Sequence, residues 1–415
     1  MIKQLIEKGA SVGNPESIEI GPEVNPERVA GQGVVIHSGS RIRGSETLIC
    51  QGAQIGEEAP TTVENCYIGP EVSLKGGYFK YSVFLKKSSV GSCAHIRDGT
   101  ILEEEASAAH SVGLKQTILF PFVTLGSLIN FCDCLMAGGS SRKNHSEVGS
   151  SYIHFNFTPQ QDKATPSLIG DVARGVMINQ PPVFLGGQGG LVGPCRLAYG
   201  TVVAAGTINR KDETRPGRLI FGGPGRSGNA PYDGRMLYRN IKRIVANNLY
   251  YIASLKVLRH WYWQVRSLFI SEMMPELLFK GLVQTLEGCI EERIGRLGEF
   301  AARMPESAEN YKKIAGEKAS GFLLRQKKQL CENWQQLEAD LRTPGAEAVE
   351  SREKRDRFID IINNGIRIYG KNDYIRVVQS LDSKHAEAGA EWLQEITEAL
   401  VERWLSFIPE FQSSI

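Results

Sequence analysis

The chain is predicted to be mainly β plus α, a parallel β-helix of hexapeptide repeats followed by a C-terminal α-helical domain. Three observations predict it. Aliphatic or small residues recur at every sixth position, at Ile18, Val24, Ala30, Ile36, Ile42 and Leu48, then at Val90, Ile96, Leu102 and Ala108, and again at Leu185, Leu191, Leu197 and Val203. Glycines and small polar residues fill the positions between, as in IHSGSRIRGSET and LGGQGGLVGPCRLAYGTVVAAGT. Past residue 236 this beat stops, and aromatics at helical spacing replace it.

A six-residue step suits neither a helix nor an ordinary pleated strand, but it matches a prism whose flat faces each consume one hexapeptide. One aliphatic per face fills the narrow interior, and glycine or small residues take the corners, where positive φ or close backbone approach is needed. The signal runs from about residue 10 to about 210, with frame slips near 55 and 74 and an interruption at 160 to 182. Loops leaving the corners explain such slips, and in this architecture loops shape binding sites.

We therefore assign residues 1–220 to the β-helix, 221–235 (most of RPGRLIFGGPGRSGNAPYDG and the residue after it) to a Gly/Pro-rich linker, and 236–415 to the helical domain. Within the last, LEGCIEERIGRLGEFAARM, QLCENWQQLEADLR and AEAGAEWLQEITEALVERWLSFI are amphipathic at the helical period. Such helices would pack on the prism, cap its open end, or build a larger assembly. Trp261, Tyr262 and Trp263 are read as packing residues rather than a ligand site, since buried aromatics dominate such contacts.

Composition narrows the function. Charge nearly balances, with 48 basic against 46 acidic residues and a formal net charge of +2, so neither nucleic acid nor an anionic membrane is expected as a partner. No run of the roughly 18 apolar residues needed to span a bilayer occurs, and the N-terminus has no secretory apolar region. The eight cysteines lack CxxC or zinc-finger spacing and read as reduced thiols, so a cytoplasmic protein is expected. A zinc site would need three histidines around the metal, and the seven present lack a closely spaced pair.

Chemistry concentrates in GGSSRKNHSEVGSSYIHFNFTPQQDKATPSLIGD, residues 138 to 171. His145 lies there in a polar, glycine-flanked loop just after Arg142 and Lys143. Those basic neighbours would keep the imidazole neutral and able to take a proton, and would draw an anionic substrate such as a sugar phosphate or coenzyme A.

The order Lys143, His145, Gly149, Asn156-Phe157, Lys163 and Ile169-Gly170-Asp171, continued by VFLGGQGGLVGPCRLAYGTVVAAGT, resembles the acetyltransferase half of the bifunctional N-acetylglucosamine-1-phosphate uridyltransferase/glucosamine-1-phosphate acetyltransferase family. Upstream, AHIRDGT and VGLKQTIL are similar to that family's Arg- and Lys-bearing coils, so the likeness covers roughly residues 90 to 210. It implies the left-handed form of the β-helix and an acetyl-CoA-dependent N-acetyltransferase acting on an amino-sugar phosphate or nucleotide sugar. His145 would be the general base; Arg97, Lys115 and Lys163 would bind the sugar ligand. Asn156, Phe157, Gly187 and Ala205 would line the acetyl and coenzyme site, with acetyl-CoA as cosubstrate and no metal required. A homotrimer with sites shared between subunits is expected.

Departures from the family pattern are equally specific. Val148 stands where the family has a sugar-binding tyrosine, and Gly187 where it has serine. About twelve residues, one of them a sugar-contacting asparagine, are missing before Asn156. Residues Val172 to Pro182 are inserted, and an extra coil, FPFVTLGSLINFCDCLMA, precedes the histidine. The uridyltransferase half's Gly-rich nucleotide loop is not found in the first fifty residues, so uridylyl transfer is not expected. The alternative reading is a non-catalytic sugar-nucleotide-binding or scaffolding prism.

Overall fold

Strands from Ser11–Val12 to Leu219–Ile220 pair in parallel and wind into a left-handed prism with three flat faces. The computed structural model describes residues 1–222, 228–229 and 236–412. The first face is an 11-stranded sheet of very short strands, among them Ser89–Val90, Glu147–Val148 and Phe184–Leu185. The second face includes Ala94–Ile96, Ile153–Phe155 and Gly190–Val192, and the third includes Ser82–Phe84, Thr100–Leu102 and Ser167–Ile169. Gly113–Leu119 and Asn130–Met136 run round the corner between the second and third faces and join them into one sheet.

The hexapeptide posts form the interior. Val90, Ile96, Leu102 and Ala108 are buried, as are Leu185, Leu191, Leu197 and Val203, each stacked on its counterpart one coil away. Each large aliphatic so buried contributes roughly 1.5–3 kcal/mol. The beat slips by one residue on the third face of the early coils. There Val29 and Ile49 are the bridged inward posts, while Ala30 is only half-buried and Leu48 points outward against Tyr67.

That outward position matters. Leu48, Tyr67, Val83, Ile101, Ile118, Leu135 and Leu168 form one registered column on the outside of the third face, and all are buried. They are covered by helices Ile241–Gln264 and Glu276–Ala302. The fit is close: a Cβ on Gly281 would lie 2.2 Å from the Tyr67 ring. Polar pins surround the apolar seam. Tyr262 donates to Glu103, Asn248 donates to the Ala164 carbonyl, and Arg266 makes two bonds to Glu104, at 2.6 and 3.0 Å. The helical domain thus lies along a face and does not cap the prism. The N-terminal coil is covered instead by the short helix Ile2–Glu7, whose Leu5 is fully buried. Trp261 and Tyr262 are core residues, whereas Trp263 is 48% exposed. The linker at 221–235 lies for the most part outside the described residues.

Inside the prism, His154 takes an inward post. Its Nδ1 lies 2.6 Å from the Cys132 carbonyl, which only accepts, so Nδ1 carries the proton and Nε2 accepts from Ser167 Oγ at 2.8 Å. Burial pushes this imidazole down to about 4 from 6.5. In the unfolded chain it would bind a proton first, so its contribution is complete above pH 6.5 and is lost as pH falls toward 4. The expected loss is about 3 kcal/mol. Urea unfolding across that window should show it in the wild type and show a flatter profile in His154→Gln, whose amide supplies one donor and one acceptor without titrating. Matching profiles would refute the assignment.

Candidate functional site

Arg97, Lys115 and Lys163 come together at the corner between the second and third faces. Ile96 pairs with Leu114 and Lys115 pairs with Cys132, so Arg97, Lys115 and Cys132 stack in successive coils. Burial and the Asp133 carboxylate push the Cys132 thiol up, while Arg97, Lys115 and Lys163 all pull it down, as close cations must. Lys163 is placed by the loop between Phe155 and Ser167, which the helical domain fastens. Arg293 donates to the Lys163 carbonyl, Arg303 to the Gln160 carbonyl, and Tyr238 to Asp162. Beneath them Asp133 accepts from Asn156 at 2.9 Å and pairs with Arg293 at 2.9 Å. Asn156 is therefore engaged in fixing this corner, and Phe157 beside it is 68% exposed.

His145 sits elsewhere, on a hairpin of Gly139–Ser141 and Asn144–His145 that leaves the corner between the third and first faces. Positive φ at Gly138 and Gly139 allows the excursion, and a Cβ on Gly139 would lie 2.5 Å from His145 Cα. The expected basic neighbour Arg142 does not face the ring. Arg142 folds under the hairpin and donates to the carbonyls of Glu105 and Phe122 and to Thr124 Oγ1. The group beside the imidazole is Glu147, its carboxylate 3.6 Å from Nε2. The ring is 19% exposed, and Nδ1 is buried without a hydrogen-bond partner. It faces neither open solvent nor the packed interior, and Glu147 is placed to orient it. Sequence reasoning missed Glu147, although its position two residues after the histidine was a visible signal.

Gly187 and Ala205 occupy the remaining corner, between the first and second faces, where Gly206 N–H donates to the Gly187 carbonyl. A Cβ on Gly187 would lie 2.7 Å from the Ser150 carbonyl oxygen, so coil-to-coil packing requires glycine where the family has serine. Val148 has a similar cause: it is an inward post between Leu125 and Leu185, fully buried, with no outward direction for a tyrosine. The insertion after Asp171 is structural. Asp171 caps the helix Val172–Gly175, and Met177 packs against Gly389 and Phe358 of the helical domain. Within one chain, then, the cations share a corner with Asn156 and Phe157, the histidine stands on a second corner, and Gly187 and Ala205 stand on a third. Burial pushes the thiols of Cys50, Cys66, Cys195 and Cys289 up to about 12, which leaves them protonated and unsuited to a thiol acyl carrier. Among the described residues no cluster of His, Cys, Asp and Glu is arranged to hold a metal, and no helix is long and apolar enough to cross a membrane.

No family model matches the chain. By sequence it is 26% identical over 211 residues to the bifunctional protein GlmU of Thermotoga petrophila, covering 51% of this chain and 42% of that protein. It is 28% identical over 211 residues to the bifunctional protein GlmU of Pelobacter propionicus, covering 51% of this chain and 40% of that one. The chain thus spans less than half the length of these curated relatives. A solved UDP-N-acetylglucosamine acyltransferase from Campylobacter jejuni overlaps 51% of this chain and 69% of its own at 13% identity, with a TM-score of 0.15, too loose an overlap to bear on function. The sequence likeness and the prism agree, and the chain carries a β-helix domain similar to that of the GlmU acetyltransferases.

Proposed function

We propose that the protein is an acetyl-CoA-dependent N-acetyltransferase acting on an amino-sugar phosphate or nucleotide sugar, with His145 as general base. The observation that carries this is the convergence of Arg97, Lys115 and Lys163, distant in sequence, on one corner where a phosphate would be held by charge-assisted bonds. The imidazole beside Glu147 takes the proton as the amine attacks the thioester carbonyl, and the coenzyme thiolate leaves. Acetyl-CoA supplies the acyl group, and Gly187 and Ala205 border its place.

Assembly brings the corners together. Outward-facing Phe184, Val202 and Leu219 on the first face and Ile153, Phe155 and Ile208 on the second are all exposed and flank the corner of Gly187 and Ala205. The helices cover the third face. Three copies with that bare corner toward a common axis would set the first face of one against the second face of the next. The His145 edge of one copy then lies beside the Arg97, Lys115 and Lys163 edge of its neighbour. Such an apolar patch on a lone chain would be unusual. Sedimentation at micromolar concentration is expected to give a trimer, and Phe184→Asp/Val202→Asp a monomer with unchanged helical content. A monomeric wild type contradicts the shared site.

The separation of the corners within one chain favours, as second reading, a prism that binds sugar nucleotides without catalysis. Incubation with acetyl-CoA and glucosamine 1-phosphate or other amino sugars, following free thiol, separates the two. Thiol release that requires the sugar supports transfer; sugar binding without release supports the second reading.

A further inference from the structure

A second ligand site is built where the helical domain meets the corner between the third and first faces. A cavity of about 440 Å³ lies there, walled on one side by Lys86, Lys87, Glu104 and Glu105 of the prism and on the other by Arg266, Lys371 and Arg376. The size suits a nucleotide-sized molecule. Two polar atoms in its lining, Arg266 Nε and Ser271 Oγ, are buried and have no hydrogen-bond partner. Both atoms are closed off from the cavity itself, so the donors that can reach a ligand there are the basic side chains of the rim. Arg266 is otherwise rigid: its side chain is 1% exposed, its terminal nitrogens are bonded to Glu104, and its guanidinium lies 3.9 Å from the centre of the Tyr374 ring.

The charge balance says what the acceptor is. Arg266 neutralises Glu104, and the Asp373 carboxylate accepts from the Arg376 backbone N–H as a helix cap. Lys87 stands 3.8 Å from Glu71. Against Glu105 and Asp373 the wall still presents Lys86, Lys371 and Arg376, an excess of cations that suits an anion. Phe269, Met274 and Tyr369 add an apolar wall for an organic group. We propose that this cavity binds a phosphorylated small molecule, its phosphate oxygens taken by Lys86, Lys371 and Arg376 at the rim. The site adjoins the His145 hairpin: Gln379, in the cavity wall, donates to the Ser140 carbonyl at 2.5 Å, and Arg142 donates to the Glu105 carbonyl.

Calorimetric titration of the full chain with inorganic pyrophosphate tests this. Wild type is expected to bind, and Lys86→Ala/Lys371→Ala should bind roughly tenfold more weakly or worse. Lys312→Ala/Lys313→Ala, on a helix outside the cavity, and Arg97→Ala/Lys115→Ala should each retain the site. Competition by coenzyme A would show that the cavity accepts that molecule's phosphates, and competition by UDP alone would mark it as a separate nucleotide site. Either upholds it, and neither needs catalysis. An absence of pyrophosphate binding, or binding unchanged in Lys86→Ala/Lys371→Ala, overturns it.

Discussion

His145→Ala is expected to lower acyl transfer by about 10²–10⁴-fold, the usual worth of a positioned base, with little change in the KM for either substrate. The ring lies on a hairpin outside the prism core, so the fold should survive, and an unaltered unfolding transition would confirm it. Glu147→Gln should cost less, because a carboxylate 3.6 Å away orients the ring rather than taking the substrate's proton. The informative readout is the pH profile of kcat/KM: the limb that reports the base should vanish in His145→Ala and move in Glu147→Gln. Equal turnover in wild type and His145→Ala would remove the enzymatic proposal and leave the binding one.

Arg293→Leu is expected to be the most damaging single change to stability, by about 3–5 kcal/mol. Arg293 is 2% exposed, and its guanidinium is the cation that pairs with Asp133, itself 3% exposed, while also donating to the Lys163 carbonyl. Removing it strands a buried carboxylate and frees the loop that carries Lys163. Asp133 has φ of +63°, a conformation asparagine tolerates better than most residues. Arg293→Leu/Asp133→Asn, which discharges the orphan and keeps an acceptor for Asn156, should recover a substantial part of the loss. Urea unfolding midpoints decide it: a loss under about 1 kcal/mol in the single variant, or no recovery in the double, would contradict this account.

Much of the prism was legible because its core demands one apolar post per face, which writes the repeat directly into the chain. The beat failed where a second demand intervened. On the third face both sides of each strand are buried, so apolar residues stand side by side at Val83-Phe84, Ile101-Leu102 and Leu168-Ile169, and the frame at Ala30 and Leu48 slipped by one. That doubling was also the available sign that helices would cover this face. Around the candidate site the sequence singled out Arg97, Lys115 and Lys163, and the coil register stacks the first two. It misjudged the surroundings of His145, because which neighbour faces a ring depends on hairpin twist and not on order along the chain: Arg142 turned under and Glu147 came alongside.

By itself, then, the sequence determined the β-helix and the change to helices and singled out the residues proposed for acyl transfer, since a six-residue repeat and side-chain type are local properties. Only the tertiary structure decided which corner each residue occupies, which face the helices take and which charges lie buried together. Those depend on coil register and on contacts between segments more than a hundred residues apart, such as Arg266 with Glu104 and Arg293 with Asp133.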